Sequence, residues 1–144
     1  MSLTAMLVLA AVTADAPAPP AATTLQQDFD AATAAGESGD CAKAVPLFEA
    51  LEKRPAVKPG SLSASAIAVR KGRCLIDLGR VDEGERAVLA GLPGLERAGA
   101  SFDFDVTSAY RVLGGIAYSR LDYDEAKDRF RKASASQTPL VRIA

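Results

Sequence analysis

Two cysteines are the residues of this chain with the clearest capacity for chemistry. Cys41 and Cys74 are its only thiols, and it contains no His. A nucleophilic Cys is usually ionised by a neighbouring His, although Arg70, Lys71 and Arg73 could lower the pKa of Cys74. A structural zinc site needs about four ligands, which two separated Cys without His do not supply. The sequence therefore predicts no catalytic residue, no cofactor and no metal.

Asp103 and Asp105 are a second candidate for chemistry, as acidic groups with perturbed pKa values in a pocket. Their place ahead of Val106, and of an apolar stripe that starts at Tyr110, fits a loop or the N-cap of a helix better. For this reason, a small enzyme is the weakest of the functions that the sequence allows.

The charge balance argues against a nucleic-acid partner. The formal net charge is −1, and subtracting Asp15 in the N-terminal stretch from the 18 acidic residues leaves 17 against 17 basic ones. Binding to phosphates needs an excess of Lys and Arg. Aromatic residues make up only 6% of a chain rich in Ala, Leu and Val, which favours an all-α fold.

The first 24 residues read as an export signal followed by a spacer. An apolar run over residues 3–12 precedes a small-x-small tripeptide at 14–16, the pattern that signal peptidase cleaves. The next residues have the Pro/Ala-rich composition of an extended linker. The prediction is a signal peptide over 1–16, a linker over 17–24 and a helical repeat domain over 25–144.

Export would place the protein in the periplasm or outside the cell. If the N-terminal segment is not cleaved or exported, the protein would be cytoplasmic. The apolar run would then be a disordered or weakly membrane-associated tail, since it has about half of the ~20 residues that a membrane helix requires.

The clearest helical pattern lies in the third segment of the chain. Apolar and small residues recur there at helical spacing, in two stripes separated by a short turn. The first stripe contains Tyr110, Leu113, Gly114 and Ala117, and the second contains Ala126, Phe130 and Ala133. Two amphipathic helices in a hairpin are predicted.

The same arrangement is predicted twice more. In the first segment Asp40 is expected to cap a second helix that carries Ala44, Phe48 and Leu51. In the middle segment Gly72 and Leu75 lie before a turn at Gly79, and Gly84 and Val88 follow it. This middle pattern is the weakest, because its second helix has Gly and Val where Ala and Phe are expected.

The third segment resembles the tetratricopeptide repeat (TPR) family. The family pattern has Trp, two residues, Leu-Gly, two residues and Tyr, then Ala, three residues, Phe and Pro. Leu113-Gly114, Ala126, Phe130 and Pro139 match it, whereas Tyr110 replaces Trp and Ala117 replaces Tyr.

The repeat spacing resembles an extended form of the family. Ala44, Gly84 and Ala126 are equivalent and lie 40 and 42 residues apart. Repeats of similar length occur in kinesin light chains and in bacterial proteins with a caspase-like (CHAT) peptidase domain. The resemblance covers residues 25–140 and implies an all-α fold, a right-handed α-solenoid of about three antiparallel helix hairpins.

The resemblance also implies which residues pack and which bind. The hairpins would pack through Gly72, Gly114, Ala44, Ala126, Phe48 and Phe130. Peptides bind this family along the first helix of each repeat, which here selects Ala66, Val69, Arg73, Ile76 and Asp77, then Ser108, Arg111, Gly115, Tyr118 and Ser119. Of these, the predicted peptide-binding residues are Arg73, Asp77, Arg111, Tyr118 and Ser119. The alternative is that they are solvated helix-face residues.

Stacked repeats would bring Cys41 close to Cys74, since the second helix of one repeat neighbours the first helix of the next. A disulfide and two buried free thiols both fit that arrangement. Closing a loop of this length would add about 3 to 4 kcal/mol in the chain-entropy model, and an exported protein meets an oxidising environment.

The resemblance implies an interaction scaffold that holds an unidentified protein or peptide on its concave face. The alternative is a regulatory or substrate-recruiting fragment of a larger enzyme, such as a CHAT-type peptidase. Residues 140–144 look like the beginning of a helix without a polar capping helix after it. We therefore expect either self-association through this end or a chain that continues in a longer protein.

Overall fold

The described part of the chain is entirely helical. The computed structural model describes residues 23–136 and contains six α-helices and one short 3-10 helix there, with no strand. The α-helices are α1 (Leu25–Glu37), α2 (Cys41–Glu52), α3 (Leu62–Asp77), α4 (Val81–Ala98), α5 (Asp103–Ser119) and α6 (Tyr123–Ala135). The 3-10 helix, Ala100–Phe102, leads into α5. The expectations for residues 1–16, 17–22 and 137–144 lie outside the described residues.

Four of the helices begin at a polar residue that caps free backbone N–H groups. Thr24 accepts a hydrogen bond from the Gln27 N–H at 3.1 Å, and the Gln27 side chain accepts one from the Thr24 N–H at 2.8 Å. Asp40, as predicted, accepts from the Lys43 N–H at 3.1 Å, and Ser61 and Asp122 cap α3 and α6 in the same way. Such caps stabilise a helix by about 1 kcal/mol each.

The helices form three hairpins, α1/α2, α3/α4 and α5/α6, with the same turn in each. Backbone N–H groups of Asp40, Arg80 and Asp122 donate to carbonyls five residues earlier at 2.9, 2.9 and 3.0 Å. The preceding residue has a positive φ in all three turns, 84° at Gly39, 83° at Gly79 and 63° at Leu121. The shared turn defines equivalent positions, so that 40, 80 and 122 correspond.

Each hairpin packs against the next one along the chain. Helix α3 contacts both α1 and α2, and α5 contacts both α3 and α4, whereas no backbone contact joins the first hairpin to the third within residues 23–136. Two hydrophobic clusters fill the two junctions. The first includes Phe48, Leu51, Ile67 and Leu75, and the second includes Val69, Val88, Leu95, Ala109 and Leu113.

Glycines allow the two helices of the middle hairpin to approach closely. A methyl group on Gly72 would lie 2.7 Å from the Gly84 carbonyl oxygen and 2.9 Å from the Val88 nitrogen, and one on Gly84 would lie 2.9 Å from the Ile76 nitrogen. Gly91 likewise faces the Ser65 carbonyl. The backbones of α3 and α4 therefore touch along much of their length. The middle segment has the weakest family pattern but the closest helix pair.

The third hairpin is packed differently at the equivalent place. Ala126 is buried, but a methyl group on Gly114 would meet the Phe130 ring at 2.8 to 3.0 Å instead of backbone atoms. The Phe130 ring thus fills the space beside Gly114, and the residue stays 42% exposed.

Candidate functional site

A shallow pocket lies where the first helices of the three hairpins meet. Its volume is about 60 Å³, and Phe48 and Cys74 lie among its buried lining. Polar and charged side chains come to it from all three helices, and one exposed ring stands at its edge. These residues are Thr33 and Glu37 on α1, Arg70, Arg73 and Asp77 on α3, and Phe104 and Asp105 on α5.

Arg70 joins the three first helices at one wall of this pocket. Its Nε and Nη2 donate to the two carboxylate oxygens of Asp105 at 3.1 and 2.9 Å. Its Nη1 donates to Thr33 Oγ1 at 2.8 Å, and its guanidinium lies 5.0 Å from the centre of the Phe29 ring. A bidentate contact of this kind fixes both the position and the orientation of the guanidinium.

The Arg70–Asp105 pair has a structural role. The Asp105 side chain is only 6% exposed, and removing one member of a buried pair leaves the other charge without compensation. Because most of its donors are engaged, Arg70 is a fixed part of the wall. The expectation that Asp103 and Asp105 lie in a loop or at an N-cap was wrong, since both belong to the first turn of α5.

Arg73 is the free cation of the pocket. It is half-buried, and it forms no hydrogen bond or ion pair with any other residue in the described range 23–136. A partly desolvated guanidinium without a carboxylate partner can accept one from outside the chain. Phe104 beside it is 73% exposed, so the pocket combines an available charge with an uncovered ring.

A disulfide between Cys41 and Cys74 lies against the same pocket. Their Cα atoms are 5.0 Å apart, both residues are buried, and Asp77 Oδ2 lies 3.8 Å from Cys41 Sγ. The structure thus has the bond and not two free thiols, and it ties the first hairpin to the second. No free cysteine remains in the described part of the chain.

The predicted peptide-binding residues fall into two groups. Arg73 and Asp77 line the pocket, whereas Arg111, Tyr118 and Ser119 lie on α5 outside it. Tyr118 packs edge-on against Tyr123, with ring centres 5.4 Å apart. The Ser119 hydroxyl donates to the carbonyl of Ile116 at 2.7 Å, inside its own helix.

Two further residues that the family resemblance places in the groove do not face solvent. Ala66 and Val69 are buried in the junction between the second and third hairpins. Their expected exposure was wrong, because α3 is covered by α5 on that side. Ile76 is partly buried in the same cluster.

Sequence reasoning missed Arg70 and Asp105 as a pair. One signal was present, because Asp105, Ala109 and Leu113 are spaced four residues apart and share the buried face of α5. A carboxylate on a buried stripe needs a charged partner. Which of the basic residues 70, 71 and 73 provides it depends on how α3 and α5 are rotated against each other.

A larger, apolar pocket lies at the N-terminal ends of the same helices. Its volume is about 390 Å³, and it is lined mainly by Leu25, Phe29, Leu62, Ile67 and Phe102. Among the described residues 23–136, its lining has no charged side chain and only Gln26 and Ser63 as polar ones. The smaller pocket is therefore the better candidate for selective recognition, because charged groups orient a ligand.

Comparison with other proteins identifies no relative. No family model matches this chain, and no curated protein or solved structure is significantly similar to it. Within residues 23–136, no group of three or more potential metal ligands comes together. None of the helices in that range has the length and apolar character needed to cross a membrane.

Proposed function

We propose that this protein is an interaction module that binds a peptide segment of another protein on the face formed by α1, α3 and α5. The observation that carries the proposal is Arg73, a half-buried guanidinium without a partner in the described chain, next to the exposed ring of Phe104. A cation and an aromatic ring at the edge of a concave site are typical of binding hot spots.

The ligand chemistry follows from the charges in the pocket. Arg73 would pair with a carboxylate, either an acidic side chain or a free C-terminus, and Phe104 would cover an apolar side chain next to it. Glu37 and Asp77 at the rim would repel a second carboxylate. A peptide with one acidic group beside an apolar residue fits this pattern best.

We also propose that the hairpins form a right-handed solenoid of the TPR type. The proposal is supported by three hairpins with one repeated turn and by the way each hairpin packs only on its neighbour. In such an array the first helices line the concave side, where the pocket lies. The Cys41–Cys74 disulfide supports a role in an oxidising compartment, in line with the predicted export signal.

The binding proposal can be tested with displayed peptides. The purified chain is selected against a library of random 12-residue peptides, and the affinities of recovered peptides are measured by calorimetry. We expect recovered peptides to contain an acidic residue or free C-terminus next to an apolar residue. Arg73→Gln and Phe104→Ala should each weaken binding about tenfold, as for other hot-spot residues.

The matched control is Arg111→Gln, because Arg111 is an exposed Arg of α5 outside the pocket. It should change the affinity less than twofold. If Arg111→Gln abolishes binding and Arg73→Gln does not, the binding face lies on the outer side of α5. If the selection recovers no binding peptide, the proposal is wrong.

A further inference from the structure

The third hairpin exposes positions that are covered in the first two. By the shared turn, Phe130 corresponds to Phe48 and to Val88. Phe48 is 1% exposed and Val88 is 0% exposed, and each belongs to a buried cluster that includes residues of the following hairpin. Phe130 has no following hairpin within the described residues and is 42% exposed.

Two more positions show the same difference. Gly36 and Cys41 of the first hairpin both meet Cys74 on α3, since a methyl group on Gly36 would lie 3.3 Å from Cys74 Sγ and Cys41 forms the disulfide. Their equivalents in the third hairpin are Tyr118 and Tyr123. Both tyrosines are more than half exposed, and their rings pack edge-on against each other.

Tyr118, Tyr123 and Phe130 together form what we call the end face. Its residues are equivalent to those of the first hairpin that lie at the junction with the second hairpin. A face exposed to solvent would carry polar side chains at these positions, but the end face carries three aromatic ones. Leu121 adds an aliphatic side chain at its border, 70% exposed. An apolar surface of this kind marks a contact with another protein.

The charges of α6 indicate which protein would bind to the end face. Arg129 and Lys132 are paired within the helix, with Glu125 at 2.5 Å and Asp128 at 3.0 Å. Asp124 and Arg131 are exposed, seven residues apart on one side of the helix, and neither has a hydrogen bond or ion pair in the described chain. Residues at this spacing lie along the same flank of a helix.

We propose that the end face binds a second copy of this chain through an antiparallel pairing of the two α6 helices. A two-fold axis near the middle of α6 places each Asp124 opposite the partner's Arg131, which gives two equivalent ion pairs. It also brings the aromatic residues of both end faces together. Such an interface is self-complementary, as a two-fold dimer requires.

The charge pattern favours a copy over an unrelated partner. On this flank of α6, Asp124 lies near the start, the exposed Lys127 near the two-fold axis and Arg131 near the end, so the two ion pairs form only when the second helix runs the opposite way. The pairing leaves Arg73 and Phe104 outside the contact, because they lie in the pocket on the first helices. Dimerisation and peptide binding are thus independent.

Charge exchange at these two positions tests the dimer. The molar mass of the full chain is measured by sedimentation equilibrium from 5 to 500 µM, on the order of the range in which weak dimers dissociate. We expect a dimer for the unaltered chain. Asp124→Arg and Arg131→Asp, which place like charges opposite each other, should each raise the dissociation constant at least tenfold. The double exchange should restore it to within about threefold.

The control is Arg86→Asp, which reverses an exposed Arg on α4 that has no ion pair within residues 23–136 and should leave the dissociation constant unchanged. Circular dichroism of each variant verifies that its helices are intact. A monomeric unaltered chain at the highest concentration would overturn the proposal. So would single variants that remain dimeric, or a double exchange that stays monomeric while folded.

Discussion

The second and third hairpins use a glycine at the same position in opposite ways. Gly72 and Gly84 let the backbones of α3 and α4 touch, and any side chain there meets backbone atoms that cannot move aside. Gly114 meets the Phe130 ring, a side chain that is partly exposed and can rotate. A glycine that matches a repeat pattern therefore does not by itself indicate how closely two helices approach.

The difference affects which hairpin tolerates change. In the second hairpin close approach is built from several glycines along both helices, so the pair cannot adjust at one point without moving at the others. In the third hairpin the contact depends on one aromatic side chain. We expect the second hairpin to be the rigid unit of the described chain and the third to be the adaptable one.

The largest effect is expected for Gly84→Ala. The added methyl group meets the Gly72 carbonyl and lies 2.9 Å from the Ile76 nitrogen, so α3 and α4 must separate. The expected loss of unfolding free energy is about 3 kcal/mol, at the upper end for overpacked sites. Urea unfolding measures it.

Gly115→Ala provides the matched control for that change. Gly115 lies inside α5, and no atom beyond its chain neighbours and the surrounding helix backbone lies within 4 Å of the added methyl group, so the substitution should be neutral or slightly stabilising through helix propensity. Equal losses in Gly84→Ala and Gly115→Ala would show that the effect does not come from the helix contact.

A smaller effect is expected for Gly114→Leu in the third hairpin. The leucine displaces the Phe130 ring from its place beside Gly114, at an expected cost of about 1 to 3 kcal/mol. Because Phe130 can rotate outward, Gly114→Ala should cost clearly less than Gly84→Ala. Thermal unfolding of Gly84→Ala, Gly114→Leu and Gly114→Ala gives the order of their stability losses. An unchanged midpoint for Gly114→Leu would contradict the described packing.

The junction between the two hairpins should respond to alkaline pH. Burial, and then the hydrogen bond that the Tyr110 hydroxyl donates to Glu96, raise the pKa of Tyr110 to about 12, from an ordinary value of 10.0. Between these values the folded chain keeps a proton that the unfolded chain has lost, so stability is full below pH 10 and falls as the pH rises toward 12.

The expected loss at pH 11 is about 1 kcal/mol, after allowance for the solvent around the exposed Glu96. Tyr110→Phe removes the ionisable group and should remove this pH dependence. Urea unfolding of both chains at pH 9, 10 and 11 measures the difference. Parallel pH profiles would show that Tyr110 is not responsible.

The last predicted change in stability is a gain, of about the same size as the loss expected at pH 11. Leu121 has a φ of 63° in the turn where the other two hairpins have glycine. Leu121→Gly should therefore stabilise the third hairpin by about 1 kcal/mol, since Leu is strained in this region and its exposed side chain adds little burial. A higher thermal midpoint checks it, and Gly79→Leu in the second hairpin should lower the midpoint.

Local sequence signals predicted much of the fold but only part of the candidate site. Asp40 and Gly79 identified a cap and a turn because their chemistry acts on neighbouring residues. The position of Arg70 between Thr33 and Asp105 depends on the rotation of three helices that are distant in sequence. The same rotation buries Val69, which the family resemblance had placed on the binding face.

The third turn shows another limit. The equivalence of Ala44, Gly84 and Ala126 places Leu121 opposite Gly39, but leucine rarely adopts a positive φ, so its residue type did not predict the backbone conformation of this turn. The hydrogen bond that the Asp122 N–H donates to the Ala117 carbonyl shows that the turn nevertheless has the same geometry as the other two. The exposure of Phe130 was equally hidden, because its spacing is that of a core position.

The disulfide also determines how the chain would respond to a pulling force. Cys41 and Cys74 are separated by 33 residues in sequence. While the bond is intact, this loop, which would span about 110 Å when fully extended, cannot be stretched. Under load, the α5/α6 hairpin can lengthen freely, whereas α3 can unravel only beyond Cys74. A chain stretched from its two ends would thus lengthen through α1 and through the part after Cys74, while the linked part stayed short until a reductant opened the bond.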